Sequence, residues 1–274
     1  MRTVTSKDGT TIAFEAWGDG QPLIIIDGAT AHRAVNPINA EVGALLAGDF
    51  RVYAYDRRGR GDSTDTAPYA VEREIEDLAA LIDHAGAPAT VFGWSSGAVL
   101  ALHAAAAGLP ITRLALWEPP FVVDGSRPPL PPDYVERLDA CVAGGRPGDA
   151  VELFMTAAAG VSADDVAGMR QAPFWPVLEA IAHTIAYDGR IMGDTMSGAP
   201  LPRDRWSAVT VPVKVMHGTD TFPWMITGAR ALAELLPTAA LEALPGEQHG
   251  TTADVLAPAL RQFVQSGQAH AGTR

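Results

Sequence analysis

Apolar and polar positions alternate with a period of two in residues 3–6 and 11–17, which flank Lys7-Asp8-Gly9-Thr10. An Asp-Gly pair between alternating segments marks a β-hairpin. The pattern then changes. Residues 22–27 (PLIIID) form a continuous apolar run, as expected of a strand covered on both faces of a parallel sheet. Residues 50–56 (FRVYAYD) give a further strand after a helical stretch near 39–47, and residues 71–84 carry Ile75, Leu78, Leu81 and Ile82 at helical spacing. Strand and helix keep alternating: strand at 90–94, small-residue helix at 98–107, strand at 112–117. The alternation stops after Phe121 and resumes with strand 211–216, helix 225–236, strand 240–244 and helix 252–264.

Such alternation predicts an α/β fold, a mostly parallel sheet with helices on both faces. Residues 1–121 and 207–274 form its core. Residues 122–206 interrupt it with several helical segments rich in Pro, Gly, Met and aromatics. An insertion at the carboxyl end of a central strand is most simply a helical cap over the region where open α/β sheets bind ligands.

Composition narrows the setting. With 47% hydrophobic and 19% charged residues, the 274-residue chain suits a globular protein with a sizeable core. A formal charge of −12 argues against nucleic acid or an acidic membrane surface as a partner, leaving a small molecule. Cys141 has no second cysteine to pair with, the first residues alternate instead of forming an apolar signal core, and no apolar run reaches the roughly 20 residues of a membrane span. The expectation is a cytoplasmic protein. No clustered His or Asp-rich loop suggests a metal, and no cofactor is expected.

Gly93-Trp94-Ser95-Ser96-Gly97 is a G-x-S-x-G between a predicted strand and a predicted helix. A tight strand-to-helix turn holds the middle serine in a strained conformation, flanking glycines let the backbone cross itself, and the helix start offers amides to a developing anion. Around this elbow the chain resembles the α/β-hydrolase family over nearly its whole length. Residues 55–63 (YDRRGRGDS) look like the loop after that family's fourth strand. Ile26-Asp27-Gly28-Ala29 stands where its His-Gly oxyanion turn is usual, with Asp in place of His. Leu244-Pro245-Gly246-Glu247-Gln248-His249 is similar to its terminal histidine loop.

The resemblance implies Ser95 as nucleophile, His249 as general base, and an oxyanion hole from the amide of Ser96 with one from Gly28 or Ala29. Two carboxylates compete for the acid. The family's usual acid position, in a segment like H-G-x-x-D, is held here by Thr221, and Asp220 falls one residue short. Glu118 ends the strand beside the nucleophile strand, within the apolar stretch LALWEPPF, where an unpaired buried charge would cost several kcal/mol. Some family members place their acid there. Zearalenone-type lactone hydrolases are one such group, also similar at Asp27-Gly28, at Ser95-Ser96-Gly97-Ala98 and in a proline close behind Glu118. Glu118 is the favoured acid and Asp220 the alternative. Trp94, His32, Phe121, Trp175 and His183 are expected to line the substrate pocket. The implied activity is hydrolysis of a carboxylic ester or lactone of a small, largely apolar molecule. Another reaction of the same constellation (C–C bond hydrolysis, acyl transfer, perhydrolysis or lyase chemistry) and a slow-turnover, receptor-like binder are the alternatives.

Overall fold

The computed structural model describes residues 1–266. Its strands are β1 (Arg2–Thr5), β2 (Thr11–Trp17), β3 (Gln21–Ile26), β4 (Phe50–Tyr55), β5 (Ala89–Trp94), β6 (Ile111–Trp117), β7 (Val213–Asp220) and β8 (Ala239–Glu247). They form one sheet in the order β1-β2-β4-β3-β5-β6-β7-β8. The β1–β2 and β2–β4 pairs are antiparallel and every later pair is parallel. The parallel part has helices on both faces. On one, α1 (Ile38–Leu46) and α10 (Ala253–Gln265) bury Val42, Leu46, Leu256 and Leu260 against Phe92, Ala115 and Met216. On the other, α2 (Val71–Ala85), α3 (Ser96–Ala106) and α9 (Pro223–Leu235) pack Leu78, Leu81, Val99, Leu102 and Leu232 against Ile24, Val91 and Leu114. This two-sided covering is why β3, β5 and β6 read as apolar runs. Each fully buried Leu, Ile or Phe contributes about 1.5–3 kcal/mol.

Between β6 and β7 the chain forms α4 (Tyr134–Ala143), α5 (Pro147–Leu153), α6 (Ala163–Met169), α7 (Trp175–Ala180) and α8 (Ile185–Met192). These helices enclose a cluster of their own, including Tyr134, Leu138, Val151, Val166, Trp175 and Ile185. The widened helical turn Phe154–Ala158 continues α5, and its carbonyls at Ala157 and Ala158 accept hydrogen bonds from Arg127.

Two strands run further than the alternation predicts. The β7–β8 ladder continues through Gly218↔Leu244 and, after a register shift, Asp220↔Glu247. Glycines permit it: a Cβ on Gly218 would come within 2.6 Å of the Gly246 carbonyl oxygen. Backbone expected to be loop after residue 218 and just before His249 is therefore tied to the sheet.

Candidate active site

The sheet order sets the carboxyl ends of β5, β6, β7 and β8 side by side, and the polar residues at those ends meet. Ser95 follows β5 with φ 52° and ψ −122°, and α3 begins at the next residue. A Cβ on Gly93 would lie 2.5 Å from Ala98 Cα, and one on Gly97 2.6 Å from the carbonyl oxygens of Ile26 and Asp27. Only glycine fits either place. The amide of Ser95 is held by the Trp117 carbonyl at 2.8 Å, so the elbow is pinned to the end of β6. The amides of Ser96 and Gly97, the first two of α3, lack the i−4 partner that later amides of the helix have, and its dipole favours an anion beside them.

Glu118, one residue beyond β6, is fully buried with φ 42°, an uncommon backbone conformation for a side chain of this size. Its carboxylate has three donors. Oε1 accepts the Gly218 amide at 2.7 Å, and Oε2 accepts the Thr221 hydroxyl at 3.1 Å and stands 2.6 Å from His249 Nδ1. Burial opposes the charge, but the His249 ring and the Gly218 amide outweigh it and hold the carboxyl below its ordinary range. An ionised carboxylate only accepts, so Nδ1 carries the proton and Nε2 of the neutral ring is left as an acceptor.

His249 is presented by a two-residue turn. Glu247 and Gly250 exchange both backbone hydrogen bonds, at 3.0 and 2.8 Å, and the central residues Gln248 and His249 have φ of 46° and 72°. Two positive φ values are the mark of a type I′ turn, usually built from Asn and Gly. Here the Trp117 indole steadies it by donating to the His249 carbonyl at 3.3 Å.

Two cavities flank Ser95 and His249. The outer one, about 610 Å³, is open and bounded by Gly28, Ala29, Trp94, Glu41, Phe154 and Thr252. The inner one, about 100 Å³, is apolar and bounded by Leu130, Tyr134, Phe154, Ala158, Met196 and Trp224, with Ala29, Ser96 and Asp188 at its polar end. Ser95 Oγ makes no hydrogen bond to His249; contacts of this kind tighten in the complex with substrate. Asp27 lines the outer cavity. Burial pushes its carboxyl above the ordinary range, opposed by the amides of Asn36 and Asn39, which donate to Oδ1 at 2.7 and 2.8 Å.

The structure thus brings Ser95, Ser96, Gly28, Ala29, Trp94, Glu118 and His249 together. Asp220 is elsewhere: exposed, at the end of β7, with the Thr219 hydroxyl 3.4 Å from its carboxylate. Four expected pocket residues do not line either cavity. Phe121 is fully buried and stacks on Trp206, and Trp175 is buried among the inserted helices, bonded to Glu179. His32 is buried and lines neither cavity, and His183 stands 3.6 Å from Asp65, edge-on to Tyr187. Aromatic type gave no way to tell a ring that packs the core from one that meets a ligand. Sequence reasoning also missed Phe154 and Asp188, which reach the site from segments distant along the chain. The signal for Asp188 lay in Arg57 and Arg60, since two arginines beside an apolar strand need a buried counterion. Among the described residues no helix is long and apolar enough to cross a membrane, and no group of three or more His, Cys, Asp or Glu is placed to hold a metal ion.

A serine on a strained elbow, a histidine on a neighbouring turn and a buried carboxylate at its Nδ1 can supply a nucleophile, a general base and the acid that orients it. The model of the alpha/beta hydrolase family matches residues 28–260, and the chain belongs to that enzyme family. It is similar to an alpha/beta hydrolase from Sphaerobacter thermophilus DSM 20745 of known structure, with 52% identity and a TM-score of 0.87, covering 96% of this chain and 100% of that one. It is 26% identical to a non-heme haloperoxidase of Rhodococcus erythropolis and 28% identical to a bifunctional esterase/perhydrolase of Acinetobacter calcoaceticus. Each match covers 97% of this chain and all of the relative.

Proposed function

We propose that the protein is a serine hydrolase cleaving carboxylic esters or lactones of small, largely apolar molecules through an acyl-enzyme on Ser95. The observation that carries this reading is the 2.6 Å contact of Glu118 Oε2 with His249 Nδ1 beside the Ser95 elbow, where a small apolar cavity adjoins both Ser95 and His249. His249 Nε2 takes the proton of Ser95 Oγ as the oxygen attacks the carbonyl carbon. The Ser96 amide and one from the turn after β3 bind the oxyanion; each such donor typically supplies about 3–4 kcal/mol of transition-state stabilisation. His249 gives its proton to the leaving alcohol and then activates the water that releases the acid. Glu118 fixes the tautomer and stabilises the ring when it is charged. Asp220 has no part in this scheme.

The relatives named haloperoxidase and esterase/perhydrolase favour a second outcome of the same intermediate: hydrogen peroxide, in place of water, attacks the acyl-enzyme and leaves as a peroxy acid. Incubation with a serine-directed fluorophosphonate, followed by peptide mass analysis, tests the shared step. The reading expects rapid labelling at Ser95 together with turnover of 4-nitrophenyl esters. A protein that is neither labelled nor active on an ester and lactone panel would be a binder, and the reading would fall.

A further inference from the structure

A carboxylate from the inserted helices reaches the elbow. Asp188 of α8 is buried, and Oδ1 accepts the Ser96 hydroxyl at 2.7 Å and Arg57 Nη1 at 2.6 Å. Its Oδ2 accepts Arg60 Nη2 at 2.5 Å. Arg60 in turn donates through Nη1 to the Gly28 carbonyl at 2.6 Å and through Nε to the Thr184 hydroxyl at 3.0 Å. Arg57 is also paired with Glu74, so the cluster holds two positive and two negative groups out of water. Burial opposes the charge on Asp188, but the two guanidiniums outweigh it and keep the carboxyl ionised.

The consequence lies in the peptide after Gly28. A trans peptide is planar, with its N–H opposed to its C=O. Anchoring the Gly28 oxygen on Arg60 therefore turns the Ala29 N–H the other way, and Ala29 borders both cavities beside Ser95. On the other side, the Ser96 side chain is tied to the same carboxylate while its backbone amide begins α3. We infer that Asp188 is the positioning residue of the oxyanion hole, aligning the Ala29 amide through Arg60 and the Ser96 residue directly, so that the hole is complete only when the inserted helices are docked. This rests on the serine-hydrolase reading and selects Ala29 over Gly28 as the second donor. Asp188 touches no reacting atom in it.

The test measures kcat, KM and the Ki of a trifluoromethyl ketone, whose serine adduct carries an oxyanion, for the parent, Asp188→Asn and Ser96→Ala. Loss of a whole oxyanion donor typically lowers kcat by about 10²–10³, and misalignment by less. The expected falls in kcat are about 30-fold for Asp188→Asn and about 5-fold for Ser96→Ala, with Ki rising in proportion and KM within about twofold. A purely structural role would instead raise KM or lower the melting temperature with kcat per folded molecule unchanged, and that result overturns the inference. Should Asp188→Asn fail to fold because it strands two arginines, Ser96→Ala, which removes one hydroxyl, decides: unchanged kcat and Ki overturn it. A parent that turns over no ester and is not labelled at Ser95 overturns the underlying reading as well, whereas an active parent with unaffected variants overturns this inference alone.

Discussion

Glu118 and His249 are 131 residues apart in sequence and 2.6 Å apart in the fold, joined Oε2 to Nδ1 at the ends of a strand and a turn that are not neighbours in the sheet. The expected result of Glu118→Gln is a fall in kcat of about 10³–10⁴, because an amide no longer enforces the Nδ1–H tautomer. Asp220→Asn is expected to leave kcat within about twofold, since its exposed carboxylate meets only the neighbouring Thr219. Steady-state kinetics on one 4-nitrophenyl ester compares them; loss confined to the Asp220 variant would move the acid to β7.

Thr221 donates its hydroxyl to the same Oε2 that contacts His249, at 3.1 Å. A carboxylate at position 221 is thus within a side chain's reach of the imidazole. Adding Thr221→Asp to Glu118→Gln should recover at least about tenfold of the lost kcat, through the same orientation and charge stabilisation. Thr221→Asp alone should do harm, because two carboxylates then compete for one histidine. A double variant no better than Glu118→Gln would show that position 221 cannot orient the ring.

The Glu118 carboxyl titrates below its ordinary value of 4.5 in the folded protein. As pH falls, the unfolded chain takes up that proton first, so the stabilisation from the donors around the ionised carboxylate is full above about pH 5 and is lost as pH drops through the folded pKa. Thermal melts of the parent and Glu118→Gln between pH 3 and 7 should therefore differ most near neutrality and converge on acidification. A gap that stays constant or widens at low pH would contradict the depressed pKa.

The glycines around Ser95 differ in what they touch. A Cβ on Gly28 would meet Ser95 Cβ at 3.0 Å and the Trp94 carbonyl oxygen at 3.2 Å, contacts that small shifts of the elbow relieve. One on Gly93 would meet backbone at 2.5 Å. Gly28→Ala should fold with stability within about 1 kcal/mol and lose at least about tenfold in kcat by displacing the nucleophile. Gly93→Ala should cost about 3 kcal/mol or more. Melting curves beside kinetics separate the two, and equal destabilisation by both would refute the distinction.

How far the chain could be read follows from the same contacts. The elbow, the alternating elements and the histidine loop were legible because glycine spacing and apolar runs are local consequences of backbone crowding and two-sided burial. Glu118 was legible as an anomaly, a charge closing an apolar strand, and its partners Gly218 and His249 resolve it. The turn that presents His249 carries no Asn-Gly signal; its two left-handed residues are held by a tertiary bond from Trp117. Phe121 and Trp175 misled because nothing local distinguishes a ring facing a core from one facing a cavity. Asp188 was invisible for a similar reason, since its meaning depends on Arg57 and Arg60 more than 120 residues away.

The inner cavity bears on substrate choice. It holds about 100 Å³, walled by Leu130, Met196, Ala158 and Trp224, and opens on Ser95. That space suits a short apolar acyl chain, with the alcohol portion left to the larger outer cavity. Each methylene buried there should add about 0.8 kcal/mol to transition-state binding, about fourfold in kcat/KM, until the space is filled. From 4-nitrophenyl acetate to butanoate the parent should gain about tenfold or more, and octanoate should fall back. Ala158→Phe, which fills the cavity from the widened turn after α5, should abolish the gain while leaving acetate within about threefold. If the chain-length profile of that variant matched the parent's, the acyl group would have to occupy the outer cavity, and the inner space would have no role in selecting the substrate.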